Sequence, residues 1–388
     1  MPTHEDLTPE IEDRDTNLNG NSHANTSATS DSDRDLDVNA SNHTDHSSTP
    51  RLPRWRNYTA FVLSGGGARG ALQVGALRAL LERGERPDLI IGTSVGAWNG
   101  AWLAMGPTQE RMEMMAKVWA SVHPMRVLLG RDRIPPATTQ QAITGILVLA
   151  AARNVTRGNP SLYSDIGLRQ MLARFYAGVT FEGLEVPLHI IATNLKDGTR
   201  AVFSSGPIGP ALLASSAIPG IFPPVRIDDA TYVDGGAIEN TGLNLAITLG
   251  ARRLFVLDVG YDASTAAIQE WTTPPTGQPE TIGTAQGRNR VRHERGPVPH
   301  ALASVLERTT QVMSRYQLEH DLALLPPGIE THLIRPSTPR GGGALDFDAA
   351  PEWIEHGYEF TRTYLRHMAE RVATRRSGPT ARLRTSTP

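Results

Sequence analysis

Three short stretches combine residue types that do chemistry. The first is Ser64-Gly65-Gly66-Gly67-Ala68-Arg69-Gly70. Successive glycines let a backbone turn sharply and aim its N–H groups at one point, which makes an anion site for a phosphate or an oxyanion. The second is Gly92-Thr93-Ser94-Val95-Gly96. This is G-x-S-x-G, the pattern of a serine held on a strained strand-to-helix turn with its Oγ exposed above the sheet. A serine hydroxyl is a weak nucleophile and needs a base. The third stretch, Tyr232-Val233-Asp234-Gly235-Gly236, offers one: an aspartate that closes a strand before two glycines turn the chain away.

These motifs need elements to carry them, and apolar patterning supplies the elements. Short apolar runs at Tyr58–Ser64, Asp88–Thr93, Leu188–Thr193, Ala201–Ser204, Thr231–Val233, Leu254–Val259 and Ile329–Ile334 read as strands. Helical spacing covers Gly70–Arg83, Val95–Met105, Gly242–Leu249, His300–Leu325 and Pro351–Arg371. Continuous apolar strands between helices predict an α/β protein with a parallel-rich central sheet and helices on both faces. The glycine-rich and G-x-S-x-G stretches then both fall between a strand and the helix after it.

Composition bounds the rest. The chain has 388 residues, 39% apolar and 20% charged, with a formal net charge of −2. There is no global basic field for nucleic acid. No cysteine is present, which excludes a thiol nucleophile, thiolate metal sites and disulfides. No apolar run approaches the roughly 18 residues of a membrane-spanning helix. Residues 1–50 hold 11 Asp and Glu against 2 Arg, a net of −9, with almost no large apolar side chains. Such a segment cannot offset its ordering entropy, so residues 1–55 are expected to be a disordered acidic tail. Its histidines, His4, His23, His43 and His46, are not read as a metal site, because nothing fixes their geometry.

The folded domain is expected over 56–371, with a long Pro/Gly/Thr-rich loop at 262–299 and a basic tail at 372–388. Lys117 and Lys196 are the only lysines among 38 basic residues, a habit that suggests a GC-rich bacterial genome. The acidic, polar N-terminus is no secretory signal, so a cytoplasmic, membrane-peripheral location is expected. The apolar segment Ala142–Ala152 is helix-length and too short to span a bilayer; it is read first as a packed cap helix, with a place beside an acyl channel or on a membrane surface as the alternative. Trp98, Trp102 and Trp119 are read as packing residues.

Taken together, and in this order, the three motifs resemble the patatin-like phospholipase family. The stretch Ala214-Ser215-Ser216-Ala217-Ile218-Pro219-Gly220-Ile221-Phe222-Pro223-Pro224 adds to the resemblance, which runs from about Tyr58 to Arg371. It implies a three-layer α/β/α fold and a lipid acyl hydrolase that cleaves carboxylic esters of phospholipids or lysophospholipids. It implies Ser94 as nucleophile and Asp234 as proton acceptor, with no histidine. It further implies an oxyanion hole from the amides of Gly65, Gly66, Gly67, Ala68 and Arg69, supported by Gly70, Gly92, Gly96, Gly235 and Gly236. No calcium, other metal or cofactor is called for. The partner is an acyl-ester lipid, with peripheral membrane contact and no nucleic acid; oligomeric state is open. Two departures are noted: Ser64 stands where many members have Asp, and Thr241-Gly242-Leu243 replaces a Pro-containing turn.

Other readings stay open at this point. The glycine loop fits a dinucleotide fingerprint, but the ribose-binding acid expected at the end of the second strand is missing, and Asp88 lies at its start. A Ser–Asp–His triad would draw on His293, His300, His320, His332, His356 or His367. A lipid-binding scaffold without turnover is the third. Arg69 is expected to brace the glycine loop rather than meet a head group.

Overall fold

The computed structural model describes residues 58–131, 140–261, 298–339 and 342–376 of the chain. All lie in one compact unit, Ser47–Pro388. The expected acidic tail at 1–55, residues 262–297 of the 262–299 loop and residues 377–388 of the 372–388 tail fall outside them; 298–299 and 372–376 belong to helices instead.

The chain enters the sheet as β1 (Tyr58–Leu63), passes the glycine loop into α1 (Gly70–Glu82), and returns as β2 (Leu89–Thr93). Then come α2 (Val95–Ala104), α3 (Gln109–Ala120), α4 (Pro124–Leu129), α5 (Gln140–Thr156) and α6 (Ile166–Phe175). They are followed by β3 (Leu188–Asn194), β4 (Arg200–Phe203), α7 (Ile208–Ser215), β5 (Val225–Ile227) and β6 (Ala230–Asp234). The described chain finishes with α8 (Leu243–Thr248), β7 (Ala251–Leu257), α9 (Val298–Ala323), β8 (Glu330–Ile334) and α10 (Ala350–Arg376). Every element read from the sequence is present, with ends moved by a few residues. Four helices (α3, α4, α6, α7) and the short strand β5 stand where the pattern assigned nothing.

The eight strands form one sheet in the order β5-β6-β3-β2-β1-β7-β8, with β4 also on β3. β3, β2, β1, β7 and β8 run parallel. β4, β5 and β6 join antiparallel. Successive residues of a strand face opposite sides, and both sides are apolar here. Phe61 and Leu63 of β1, Ile90 of β2, and Phe255 and Leu257 of β7 belong to a core completed by α1, α2 and α10. Their neighbours Ala60, Val62, Ile91, Leu254 and Val256 belong to a second core under α8 and α9. This is the three-layer arrangement that continuous apolar strands demand.

From β1 the chain moves first to β2 and β3 on one side, then to β7 and β8 on the other. The order therefore reverses beside the carboxyl end of β1, where open α/β sheets form a crevice. The glycine loop leaves β1 at that point.

Candidate active site

Ser94 sits between β2 and α2 at φ 54°, ψ −126°, and is one of two non-glycine residues with positive φ among those described. Positive φ costs a residue with a Cβ of order 1 kcal/mol or more. The strain persists because the turn is held from outside. The Ser94 N–H donates to Ser215 Oγ (2.8 Å), and Ser215 Oγ donates to the Ile191 carbonyl of β3 (2.6 Å). The glycines two residues either side have a steric reason. A Cβ on Gly92 would lie 2.6 Å from the Ala97 Cα, and one on Gly96 2.2 Å from the Leu63 carbonyl oxygen.

Asp234 is the last residue of β6. It does not arrive the way Ser94 does, at the end of a parallel strand. β6 starts beyond the carboxyl end of β3 and runs back along it, so Asp234 stops opposite Ala192. Thr93, next to Ser94, is opposite Ile191 on the same edge of that strand, whose other edge is taken by β4. The antiparallel return thus brings the carboxyl level with the serine.

The Asp234 side chain is buried. Its Oδ1 accepts the Gly236 N–H (2.8 Å); Oδ2 has no hydrogen-bond partner at ordinary length. Burial pushes its pKa up from 3.8 to about 6, and the nearby Ser94 hydroxyl and the Gly236 N–H hold back part of that rise. The hydroxyl therefore faces the carboxyl without forming a short, aligned bond to it.

The glycine loop lies against both. The Gly65 N–H donates to Asn240 Oδ1 (3.0 Å), the Ala68 N–H to the Ala344 carbonyl (2.7 Å), and the Arg69 N–H to the Gly66 carbonyl (3.3 Å). Among the described residues, the Gly66 and Gly67 amides meet no acceptor. The expected five-residue set of donors is thereby narrowed, since three of the five amides are already engaged within the fold. Gly67 has φ 61°, and a Cβ there would sit 2.3 Å from the Ala344 carbonyl oxygen. Gly70 starts α1, Gly235 and Gly236 form the turn after Asp234, and all five supporting glycines border the site.

Arg69 braces the loop. Its buried guanidinium donates to the Val259 carbonyl (3.0 Å) and Glu307 Oε1 (2.8 Å). Glu307 Oε1 also takes the Ala344 N–H (2.8 Å), so one carboxylate of α9 fastens the loop and the segment over it.

Two residues here carried no sequence signal of their own. Asn240 joins the Gly65 amide to the turn after Asp234, and an Asn six positions past an aspartate has no distinctive spacing. Ser215 lies in the 214–224 stretch, but nothing in the sequence assigns it to the Ser94 amide.

An apolar pocket of about 110 Å³ opens from Ser94. Trp98, Trp102 and Trp119 line it, with Met171, Phe175 and Phe222. The three tryptophans pack, as read from the sequence, and also form this wall. Of the six downstream histidines, four have described side chains. His332 bonds Glu330 Oε1 (2.7 Å) and stacks on Phe255, His320 faces Asp321, and His356 and His367 lie on α10. None of the four bonds Ser94 or Asp234. His293 and the side chain of His300 lie outside the described residues.

The fold and site define an α/β protein with a strained serine, a buried carboxyl and a free pair of loop amides at one sheet edge. Residues 61–247 match the family described as Patatin-like phospholipase, and the chain carries a patatin-like phospholipase domain. It is 32% identical over 219 residues to patatin-like phospholipase domain-containing protein 7 of Rattus norvegicus, covering 55% of this chain and 15% of that protein. It is 30% identical over 305 residues to lysophospholipase nte1 of Aspergillus terreus, covering 78% of this chain and 18% of that one. The chain thus spans less than a fifth of the length of these curated relatives. Among solved structures, VipD from Legionella pneumophila aligns at 15% identity and TM-score 0.37, over 80% of this chain and 67% of that one.

Proposed function

We propose that this domain hydrolyses carboxylic-ester bonds of lipids, with phospholipids or lysophospholipids as substrates. The family match and the lysophospholipase among the relatives support the lipid substrate. The observation that carries the chemistry is the buried Asp234 carboxyl, with Oδ2 unpartnered, facing the Ser94 hydroxyl.

In this proposal Asp234 takes the Ser94 proton as Oγ attacks the ester carbonyl. The Gly66 and Gly67 amides receive the oxyanion; removing one such donor typically costs about 10²–10³ in rate. The departing alcohol collects the proton from Asp234, leaving an acyl-serine. Water then attacks, again giving a proton to Asp234, and the fatty acid leaves as Ser94 recovers its hydrogen. A carboxylate with an ordinary pKa is a poor base for a hydroxyl; a pKa of about 6 brings it nearer to the working pH. The apolar pocket would take the acyl chain. No step calls for a metal, a cofactor or calcium. A cytoplasmic, membrane-peripheral setting belongs to the same proposal.

A fluorophosphonate probe tests it. Folded wild-type protein is expected to label on Ser94 and to release fatty acid from phospholipid or lysophospholipid, read by mass spectrometry, while Ser94→Ala does neither. Equal labelling of Ser94→Ala, or identical lipid products from both, would sink the proposal.

A further inference from the structure

α5 breaks a packing rule. Its run Ile146–Ala152, together with Gly145, has no polar side chain. A helix that is apolar on every side belongs in an interior. Yet among the described side chains of α5 none is fully buried. Leu147 and Ala151 touch the core from one side, and Leu149 is 72% exposed and Val155 59%. The sequence reading of a packed cap helix is corrected here: the helix exists, but it rests on the protein by one edge.

The described charges nearest it along the chain are basic; the first acids beyond them are Asp132, which lies outside the described residues, and Asp165. Arg153 and Arg157 are exposed at its carboxyl end, and Arg131 is exposed just after α4, which packs on α5. Among the described residues of 121–131 and 140–164 there is no Asp or Glu. The helix is also coupled to the pocket wall. α4 packs on α5 and supplies Val127 to the pocket. Asn154 donates to the Leu162 carbonyl (2.8 Å), and the Leu162 and Tyr163 amides donate to the Gly220 and Ile221 carbonyls, beside Ile218 and Phe222 of the pocket lining.

We propose that α5, with Arg131, Arg153 and Arg157, is the surface by which the domain docks on an anionic lipid bilayer. Exposed apolar side chains with arginines nearby suit the boundary between acyl chains and acidic head groups. A second copy of the chain fits poorly, because it would set these arginines against their own equivalents. The acidic residues 1–50 carry the right charge but almost no large apolar side chains to cover Leu149 and Val155. Among the described residues no helix is long and apolar enough to cross a membrane, so α5 would lie in the interface. The surface rests on the hydrolase reading only in that it would deliver lipid to the same pocket.

Co-sedimentation of the full chain with vesicles is the test, using phosphatidylcholine alone and phosphatidylcholine mixed with one third phosphatidylglycerol. The wild type is expected to bind the anionic vesicles, and added salt to weaken it. The double variants Leu149→Asp/Val155→Asp and Arg153→Glu/Arg157→Glu are each expected to bind about tenfold less. Their melting temperatures and turnover of a soluble short-chain ester should match the wild type, since every altered side chain is exposed. Equal vesicle binding by wild type and variants overturns the proposal, as does a wild type that ignores anionic vesicles. A concentration-dependent dimer lost in the same variants would overturn it too, giving the face to a second copy. Vesicle binding that follows the prediction without any ester turnover would leave the surface standing and remove the hydrolase reading instead.

Discussion

Two aspartates at strand ends fold back on themselves in the same way. Asp234 closes β6 and accepts the Gly236 N–H on Oδ1 (2.8 Å). Asp258 follows β7 and accepts the Gly260 N–H on Oδ1 (3.0 Å). Both side chains are buried. They part at the second oxygen. Asp258 Oδ2 takes the Arg335 Nε–H at 2.6 Å. Asp234 Oδ2 has no cation and no fixed donor, and its pKa rises to about 6. A buried carboxylate with a guanidinium partner is a structural joint. In the proposed mechanism, the same carboxylate left short of a partner is the base.

The largest effect should come from Asp234→Asn. Loss of the base is expected to lower kcat on the order of 10⁴-fold, measured on a soluble ester. Stability should move the opposite way. The folded pKa lies above the unfolded one, so ionisation works against the fold. That penalty is absent below about pH 4, grows as pH rises to about 6, and is complete above it, at about 3 kcal/mol. Asp234→Asn is therefore expected to melt higher than wild type at pH 8 and to lose most of that advantage at pH 4.

Arg335→Gln breaks the other half of the comparison. It strands the Asp258 carboxyl in the interior and should destabilise the fold by roughly 3 kcal/mol by urea titration. Turnover per folded molecule should stay within a fewfold. If activity collapses while stability holds, the division between the two aspartates is wrong.

Asn240→Ala comes next. It frees the Gly65 amide and unlinks the glycine loop from the turn after Asp234. A fall in kcat of about 10–10² is expected, with KM nearly unchanged, because the oxyanion donors lose alignment and the apolar pocket is untouched. The mildest test is pH. kcat/KM for wild type should climb about tenfold per unit below pH 6 and flatten above it. Arg335→Gln should leave that limb where it is.

Much of this was legible in the residues themselves. β1, α1, β2 and α2 follow from apolar runs separated by glycine-rich turns, and Ser94 is marked by glycines whose Cβ atoms would strike backbone. Asp234 was legible as a strand-closing residue but not in its direction of approach. β5 has three residues, too few for periodicity to register. α7 carries Pro210 inside its first turn, and α3 is charged enough to pass for surface chain. Asn240 and Ser215 act through hydrogen bonds to backbone groups from distant parts of the chain. Contacts of that kind leave no periodic trace, since any short polar side chain in a loop can supply them.

One strand has a role beyond its own pairing. Ser215 ties the Ser94 amide to the carbonyl of Ile191, and Asp234 lies across from Ala192, the next residue of β3. The spacing of the serine and the carboxyl is thus gauged from adjoining peptide units of a single rigid ruler. Insertions in the long connections between 94 and 234 can lengthen the chain without stretching that interval, whereas one residue added to or removed from β3 would throw the pair out of gauge.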